Sequence, residues 1–135
     1  MKVQPYLNFE GRCEEALEFY KKAVGAKVDV MMRCKDAPEP GQITPGLENK
    51  ILHSSFTVGS STIMATDGYN KNNPNFNGIS LALTVASESQ AKKIFDALSS
   101  GGEGRMPLTK TFFSPAFGML ADKFGVPWMV VTEQS

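Results

Sequence analysis

An α+β fold built from two βαβββ modules is what this sequence predicts, on three observations. The order strand, helix, three strands occurs twice along the chain. Each helical segment carries an apolar stripe at three- and four-residue spacing. The strands alternate between apolar and small polar side chains, as in a sheet covered on one face only. The expected architecture is a curled mixed/antiparallel sheet with the helices on its outer face, in one domain over residues 1–135. Its first module spans about 1–67, a linker 68–78 and the second module about 79–135.

The first module opens with VQPYLNF (3–9) as a strand. GRCEEALEFYKKAVG follows, with Cys13, Ala16, Leu17, Tyr20 and Val24 on one stripe. Gly25 stands where a helix C-cap glycine belongs. AKVDVMMRC reads as the next strand. KDAPEPGQITPGLEN (35–49) is a Pro- and Gly-rich loop, long for a plain connection and a candidate lid. Two strands, around 50–58 and 61–67, then form a hairpin about Gly59-Ser60.

The second module starts with GISLALTVA, a strand from about 79 to 86. Ser87, with Gln90 three residues on, gives a capping box. Ala91, Ile94, Phe95 and Leu98 form the helix stripe, and Gly101-Gly102 stops it. RMPLTKTF, SPAFGMLAD and VPWMVVTE supply three more strands.

Bulk composition narrows the function classes. Apolar residues make up 41 % of 135, enough for an ordinary buried core. Lys+Arg and Asp+Glu are both 14, so the net charge is zero and no basic surface is offered to nucleic acid. No apolar run reaches the roughly 20 residues a bilayer needs, so no membrane partner is expected. MKVQPYLNFEGRC lacks the apolar stretch of a signal peptide. Cys13 and Cys34 form no CxxC pair and read as reduced thiols. The expected compartment is the cytoplasm.

Strand parity sorts the side chains. Around His53, the chain's one histidine, Leu52, Ser54, Phe56 and Val58 oppose His53, Ser55 and Thr57. In the next strand Ile63 and Ala65 oppose Thr62, Met64 and Thr66. In the second module Ile79, Leu81, Leu83 and Val85 oppose Ser80, Ala82 and Thr84. The oily phase belongs under the helices, where burial is worth roughly 1.5–3 kcal/mol per side chain. The other phase faces either water or a cavity. Two such sheets curling toward each other would enclose a cleft lined by Ser, Thr, Ala, Met and one His.

The paired βαβββ plan resembles the vicinal-oxygen-chelate superfamily of glyoxalase I, extradiol dioxygenases and bleomycin-resistance proteins. PYLNFEGRCEEALEFYKKAVGAK, HSSFTVGSSTIMATDG and FFSPAFGMLADKFGVPWMV look like its PhnB-like branch, with FGMLADKFGVPWMV the most specific piece. That branch has often carried the label of a demethylubiquinone methyltransferase-like protein. The resemblance implies a cup in each half-barrel and a homodimer. Metal-dependent members carry four His or Glu ligands there. By local match those places fall on Pro5, Met64, Ser80 and Met129. None suits a hard or borderline divalent ion, so the expectation is a site with no metal and no cofactor.

The remaining candidates weigh as follows. His53 on the polar phase can act as acid, base or hydrogen-bond donor, or can be one polar residue of a strand. Asp67 and Asp122 sit at turns, which explains them without function. Cys13 lies on the apolar stripe and reads as core. Phe112, Phe113 and Phe117 can form a wall for an organic ligand or part of a dimer interface. No strand, Gly-rich turn and helix make a nucleoside site, which argues against methyl transfer. The resulting expectation is a homodimer binding a small organic ligand in a cup of His53, Ser55, Met64, Ser80, Ala82, Phe113 and Met129. The alternative is a lyase- or isomerase-type enzyme with His53 as general base.

Overall fold

The computed structural model describes residues 1–37 and 45–133. These residues form two helices and eight strands in two mixed four-stranded sheets, an α+β fold. The chain divides into two compact units, Met1–Pro74 and Asn75–Ser135.

The first unit contains β1 (Tyr6–Asn8), α1 (Cys13–Val24), β2 (Lys27–Arg33), β3 (Ile51–Val58) and β4 (Ser61–Thr66), with the sheet order β1-β4-β3-β2. β1 runs parallel to β4, and the other neighbours are antiparallel. Cys13, Ala16, Leu17 and Tyr20 are buried as the stripe requires, but Ala23 replaces Val24 as its last buried member. The Tyr20 ring stacks on Phe56 at 5.6 Å and tilts toward Phe9 at 6.2 Å, joining helix to sheet. Gly25 ends α1 in the left-handed conformation at φ 67°. The start of α1 has no local cap. Instead the buried Asp67 reaches back across the unit and accepts the amides of Cys13 and Ile51, both at 2.7 Å. A single carboxylate therefore joins the start of α1, the start of β3 and the end of β4.

Parity holds along β4 and most of β3, with one correction. Leu52 is 43 % exposed, and Ile51 takes the core position instead. The cause is a register irregularity: Met32 pairs with His53, while the next residue, Arg33, pairs with Ile51. The irregularity offsets the alternation at the head of the strand. The lid expected within 35–49 falls mainly on residues 38–44, which lie outside the described residues. Cys34–Asp36 form one 3-10 turn.

The second unit contains β5 (Leu81–Val85), α2 (Glu88–Ser99), β6 (Glu103–Thr109), β7 (Phe117–Ala121) and β8 (Pro127–Thr132), with the order β5-β8-β7-β6. Again the first strand is parallel to the last, and the rest are antiparallel. Ser87 caps α2 by accepting the Gln90 amide at 3.2 Å. The return contact differs from a full capping box, because Gln90 Oε1 accepts from Ala86 rather than from Ser87. Ala91 and Leu98 are buried under the helix with Val85, Leu120, Trp128 and Val130. Gly118 lets α2 approach the sheet: a Cβ there would sit 2.8 Å from the Phe95 ring and 3.1 Å from Leu108. Ile79 lies ahead of β5 and is 69 % exposed, so the oily phase begins at Leu81. Among the described residues no helix is long and apolar enough to cross a membrane.

Candidate functional site

In each unit one sheet face lies under the helix and the other does not. On that other face of the first unit, the registers line up Tyr6 of β1, Met64 of β4, Ser55 of β3 and Val30 of β2. His53 is two residues along from Ser55, in register with Met32. The Tyr6 hydroxyl stands 3.4 Å from His53 Nδ1, and the two rings stack at 5.8 Å with 29° between planes. His53, Ser55 and Met64 are all half-buried and Tyr6 is half-exposed, so these groups meet solvent without being loose.

The neighbouring polar groups are committed to the fold. Thr66 Oγ1 donates toward the Leu52 carbonyl at 2.8 Å and the Ile51 carbonyl at 3.2 Å. Thr57 Oγ1 donates to Asp29 Oδ2 at 2.5 Å. The turn from β1 into α1 is likewise filled. Asn8 Nδ2 donates to Glu10 Oε1 at 2.8 Å, and Glu10 Oε2 accepts the Lys71 amide at 2.8 Å. Gly11, at φ 113°, leaves room for the Asn70 side chain, which a Cβ there would overlap. These contacts tie the Asn8 and Glu10 side chains into the fold at this junction.

On the corresponding face of the second unit, Ala82, Met129, Met119 and Met106 form one row across all four strands. Phe117 and Val131 follow in register. Phe113 meets Phe117 edge-on at 5.1 Å, and Phe112 meets Phe113 at 5.1 Å. The loop holding these rings is fixed by the buried Ser114, whose Oγ accepts the Thr132 amide and lies 2.7 Å from the Thr132 carbonyl. Ser80 is exposed and precedes β5 by one residue.

Of the expected site residues, His53, Ser55 and Met64 share the first unit's face. Ala82 and Met129 pair directly on the second unit's face. Tyr6, which the sequence did not single out, lies in register with Met64. The signal was available in the sequence, because Leu7 and Phe9 carry the oily phase of the first strand and leave Tyr6 and Asn8 on the other. The row of Met106, Met119 and Met129 was not legible, because it depends on strand register rather than on spacing.

Cys13 is buried against Ser54, with Sγ 3.7 Å from Oγ. Burial, above all, pushes its thiol up to about 12. A thiol so reluctant to ionise is packing, not a nucleophile. Asp122 is also structural: its buried carboxylate accepts the amides of Phe124 and Val126 at 2.9 and 3.1 Å and the Trp128 indole at 2.9 Å.

The donor set on these faces does not fit a divalent ion. The facing pairs are Tyr6 with Met64 and Ala82 with Met129. The thioethers and the methyl group are poor donors for a hard or borderline cation, which leaves the His53 imidazole with the Tyr6 and Ser55 hydroxyls, short of the three or four His or carboxylate ligands such an ion takes. Among the described residues no three His, Cys, Asp or Glu side chains gather where a metal ion could be held.

Residues 1–131 match the 3-demethylubiquinone-9 3-methyltransferase family, whose members include PhnB-like proteins. The chain belongs to that family. It is 30 % identical to Protein YjdN of Escherichia coli K12 over 138 residues, covering 96 % of this chain and 94 % of that one. Among solved structures it is similar to protein PA1353 of Pseudomonas aeruginosa, at 38 % identity and TM-score 0.88, with 100 % and 99 % of the two chains covered. It is also similar to a putative 3-demethylubiquinone-9 3-methyltransferase, PhnB protein, from Bacillus cereus. There the identity is 31 %, the TM-score 0.81 and the coverage 98 % and 99 %. A glyoxalase/bleomycin resistance protein/dioxygenase family enzyme from Burkholderia phytofirmans shares the fold at 11 % identity and TM-score 0.62, with 98 % and 96 % covered. That likeness is one of fold.

Proposed function

We propose that this family member binds a small, uncharged organic molecule on the sheet faces left open by its helices, without a divalent metal. In the first unit the contacting groups are His53, Ser55 and Met64, and in the second Ser80, Ala82, Phe113 and Met129. The observation that carries this reading is the composition of the Tyr6–Met64–Ser55 and Ala82–Met129–Met119 rows. They join thioethers, an aromatic ring and hydroxyl groups, and bring no Lys, Arg, Asp or Glu. Thioether and ring surfaces suit a flat or greasy ligand, and the few polar groups orient it.

The working form is a homodimer. Support comes from exposed apolar side chains that a second copy of the chain would cover. In the first unit Val30, Met31 and Leu52 are 46 %, 44 % and 43 % exposed, and in the second Phe112 is 93 % exposed. Methyl transfer is not part of this reading, since the NFEGRC turn between β1 and α1 is not the Gly-rich turn of a nucleoside site. The proposed setting is the cytoplasm.

The test is metal analysis of the purified protein, followed by a screen of small neutral aromatics monitored on the methyl signals of Met64 and Met129. The expected result is less than a tenth of an equivalent of Zn, Ni, Mn or Fe, with ligands that move those methyl groups. One equivalent of any of these ions, lost together with ligand binding on dialysis against a chelator, overturns the reading.

A further inference from the structure

Tyr6 and His53 come from strands on opposite sides of β4, yet they meet above Thr66 and Met64. A stacked phenol and imidazole sharing a 3.4 Å contact leave the ring few choices. The phenol hydroxyl is both donor and acceptor, whereas a neutral imidazole has one nitrogen of each kind. Which nitrogen carries the proton is set by the partner of the other. Other polar side chains of the same face are engaged elsewhere: Thr66 Oγ1 with the carbonyls of Ile51 and Leu52, Asn8 with Glu10, and Thr57 with Asp29. Tyr6 OH, 3.4 Å from Nδ1, stands where it can select the state of that nitrogen.

We propose that Tyr6 is a positioning residue for His53. Its hydroxyl donates to Nδ1 and fixes the Nε2–H form, so the face presents an N–H donor that takes a neutral ligand by a carbonyl oxygen. This rests on the ligand-binding role of the first unit's face and adds the chemical class: a flat uncharged ketone or similar acceptor, not a hydroxyl donor or an anion. Met64, in register with Tyr6, supplies the thioether on which the flat part of the ligand lies. A charged carboxylate gains nothing here, because no cation stands on the row to meet it.

The chain's single histidine makes the test direct, since every imidazole signal belongs to His53 and the couplings to its ring C–H protons tell Nδ1 from Nε2. Nitrogen-15 spectra of the labelled protein at pH 8 report the tautomer without any ligand. Nε2 is expected to carry the proton in the wild type, and Tyr6→Phe, which keeps the ring and loses the hydroxyl, gives a tautomer mixture. Acetophenone and α-methylstyrene, alike in shape but differing in the carbonyl, are then titrated against wild type and Tyr6→Phe. Acetophenone should move both Nε2 and the Met64 methyl, and bind more weakly to Tyr6→Phe by the factor its remaining Nε2–H share sets, about twofold for an even mixture. Binding of α-methylstyrene should be equal in both. A wild-type ring protonated on Nδ1, or equal acetophenone affinity in both proteins, overturns the role of Tyr6 and leaves the ligand face standing. If neither probe moves the Met64 methyl at millimolar concentration, the ligand face itself is wrong, and this proposal falls with it.

Discussion

The two units share element order, strand order and the single parallel pairing, yet each is held and finished differently. In the first, Asp67 reaches 54 residues back to cap α1 and also holds the head of β3. In the second, α2 has its own local cap in Ser87, and the carboxylate Asp122 is spent inside the tight turn before β8 and on the Trp128 indole. The open face of the first unit is polar and carries the only imidazole, while that of the second is a row of thioethers and phenylalanine rings. The same backbone plan therefore tolerates different anchors and different face chemistry. Fold and function are separable here, residue by residue.

The largest expected effects test that difference in anchoring. Asp67→Ala leaves two buried amides without acceptors in two separate elements, and should cost about 3 kcal/mol in urea unfolding. Asp122→Ala should cost about as much and shift Trp128 fluorescence, because it frees the indole. Ser87→Ala, which removes only a local cap, should cost about 1 kcal/mol. If Ser87→Ala proved as damaging as Asp67→Ala, the contrast between a distant and a local cap would be lost.

The buried thiol belongs to the first unit alone. Its folded-state value, about 12, is raised above the ordinary 9.0. The unfolded chain thus ionises first as pH rises. The stability from Cys13 is intact below pH 9 and drains away between about 9 and 12, at up to about 1.4 kcal/mol per pH unit. Cys13→Ala should remove that extra alkaline slope. Unfolding midpoints from pH 8 to 11 measure it, and an unchanged slope in the variant would assign the loss to another group.

Two buried hydroxyls give a smaller, opposite pair of effects. Ser54 in the first unit donates to the Ala65 carbonyl at 2.8 Å. Thr132 Oγ1 in the second is buried without a partner among the described residues. Ser54→Ala should therefore destabilise by about 1 kcal/mol. Thr132→Val should stabilise by about 0.5–1 kcal/mol, because a methyl group replaces an unsatisfied hydroxyl of the same shape. Thermal unfolding of the two variants decides the signs. The smallest effect is at Asn72, a non-glycine residue at φ 55°. Asn72→Gly should gain a few tenths of a kcal/mol.

Much of this was legible in the sequence because period and punctuation act locally. The Cys13–Tyr20 stripe, Gly25, Ser87 with Gln90 and the Gly59-Ser60 hairpin needed only neighbours along the chain. The alternation of His53, Ser55 and Thr57 with Ser54, Phe56 and Val58 followed from the pleat. What was missed depends on register between distant strands. Leu52 was exchanged for Ile51 by an irregularity in the pairing with β2. Tyr6 stands in register with Met64, a pairing between β1 and β4 that spacing along the chain does not give. Asp67 and Asp122 were recognised as turn residues, but their reach to Cys13 and Trp128 could not be read from spacing. The partnership of Tyr6 with His53 spans 47 positions and exists only once β4 is placed between them.

The most direct measurement of the central claim is a manganese titration of protein carrying carbon-13 methyl-labelled methionine. Mn(II) broadens nearby methyl groups, so Met64 and Met129 act as reporters at the positions where the family resemblance places metal ligands. The account predicts that both signals stay sharp with several equivalents of Mn(II), and that a neutral aryl ketone still shifts the Met64 signal in the ion's presence. Selective, saturable broadening of Met64 and Met129 at one equivalent would contradict it.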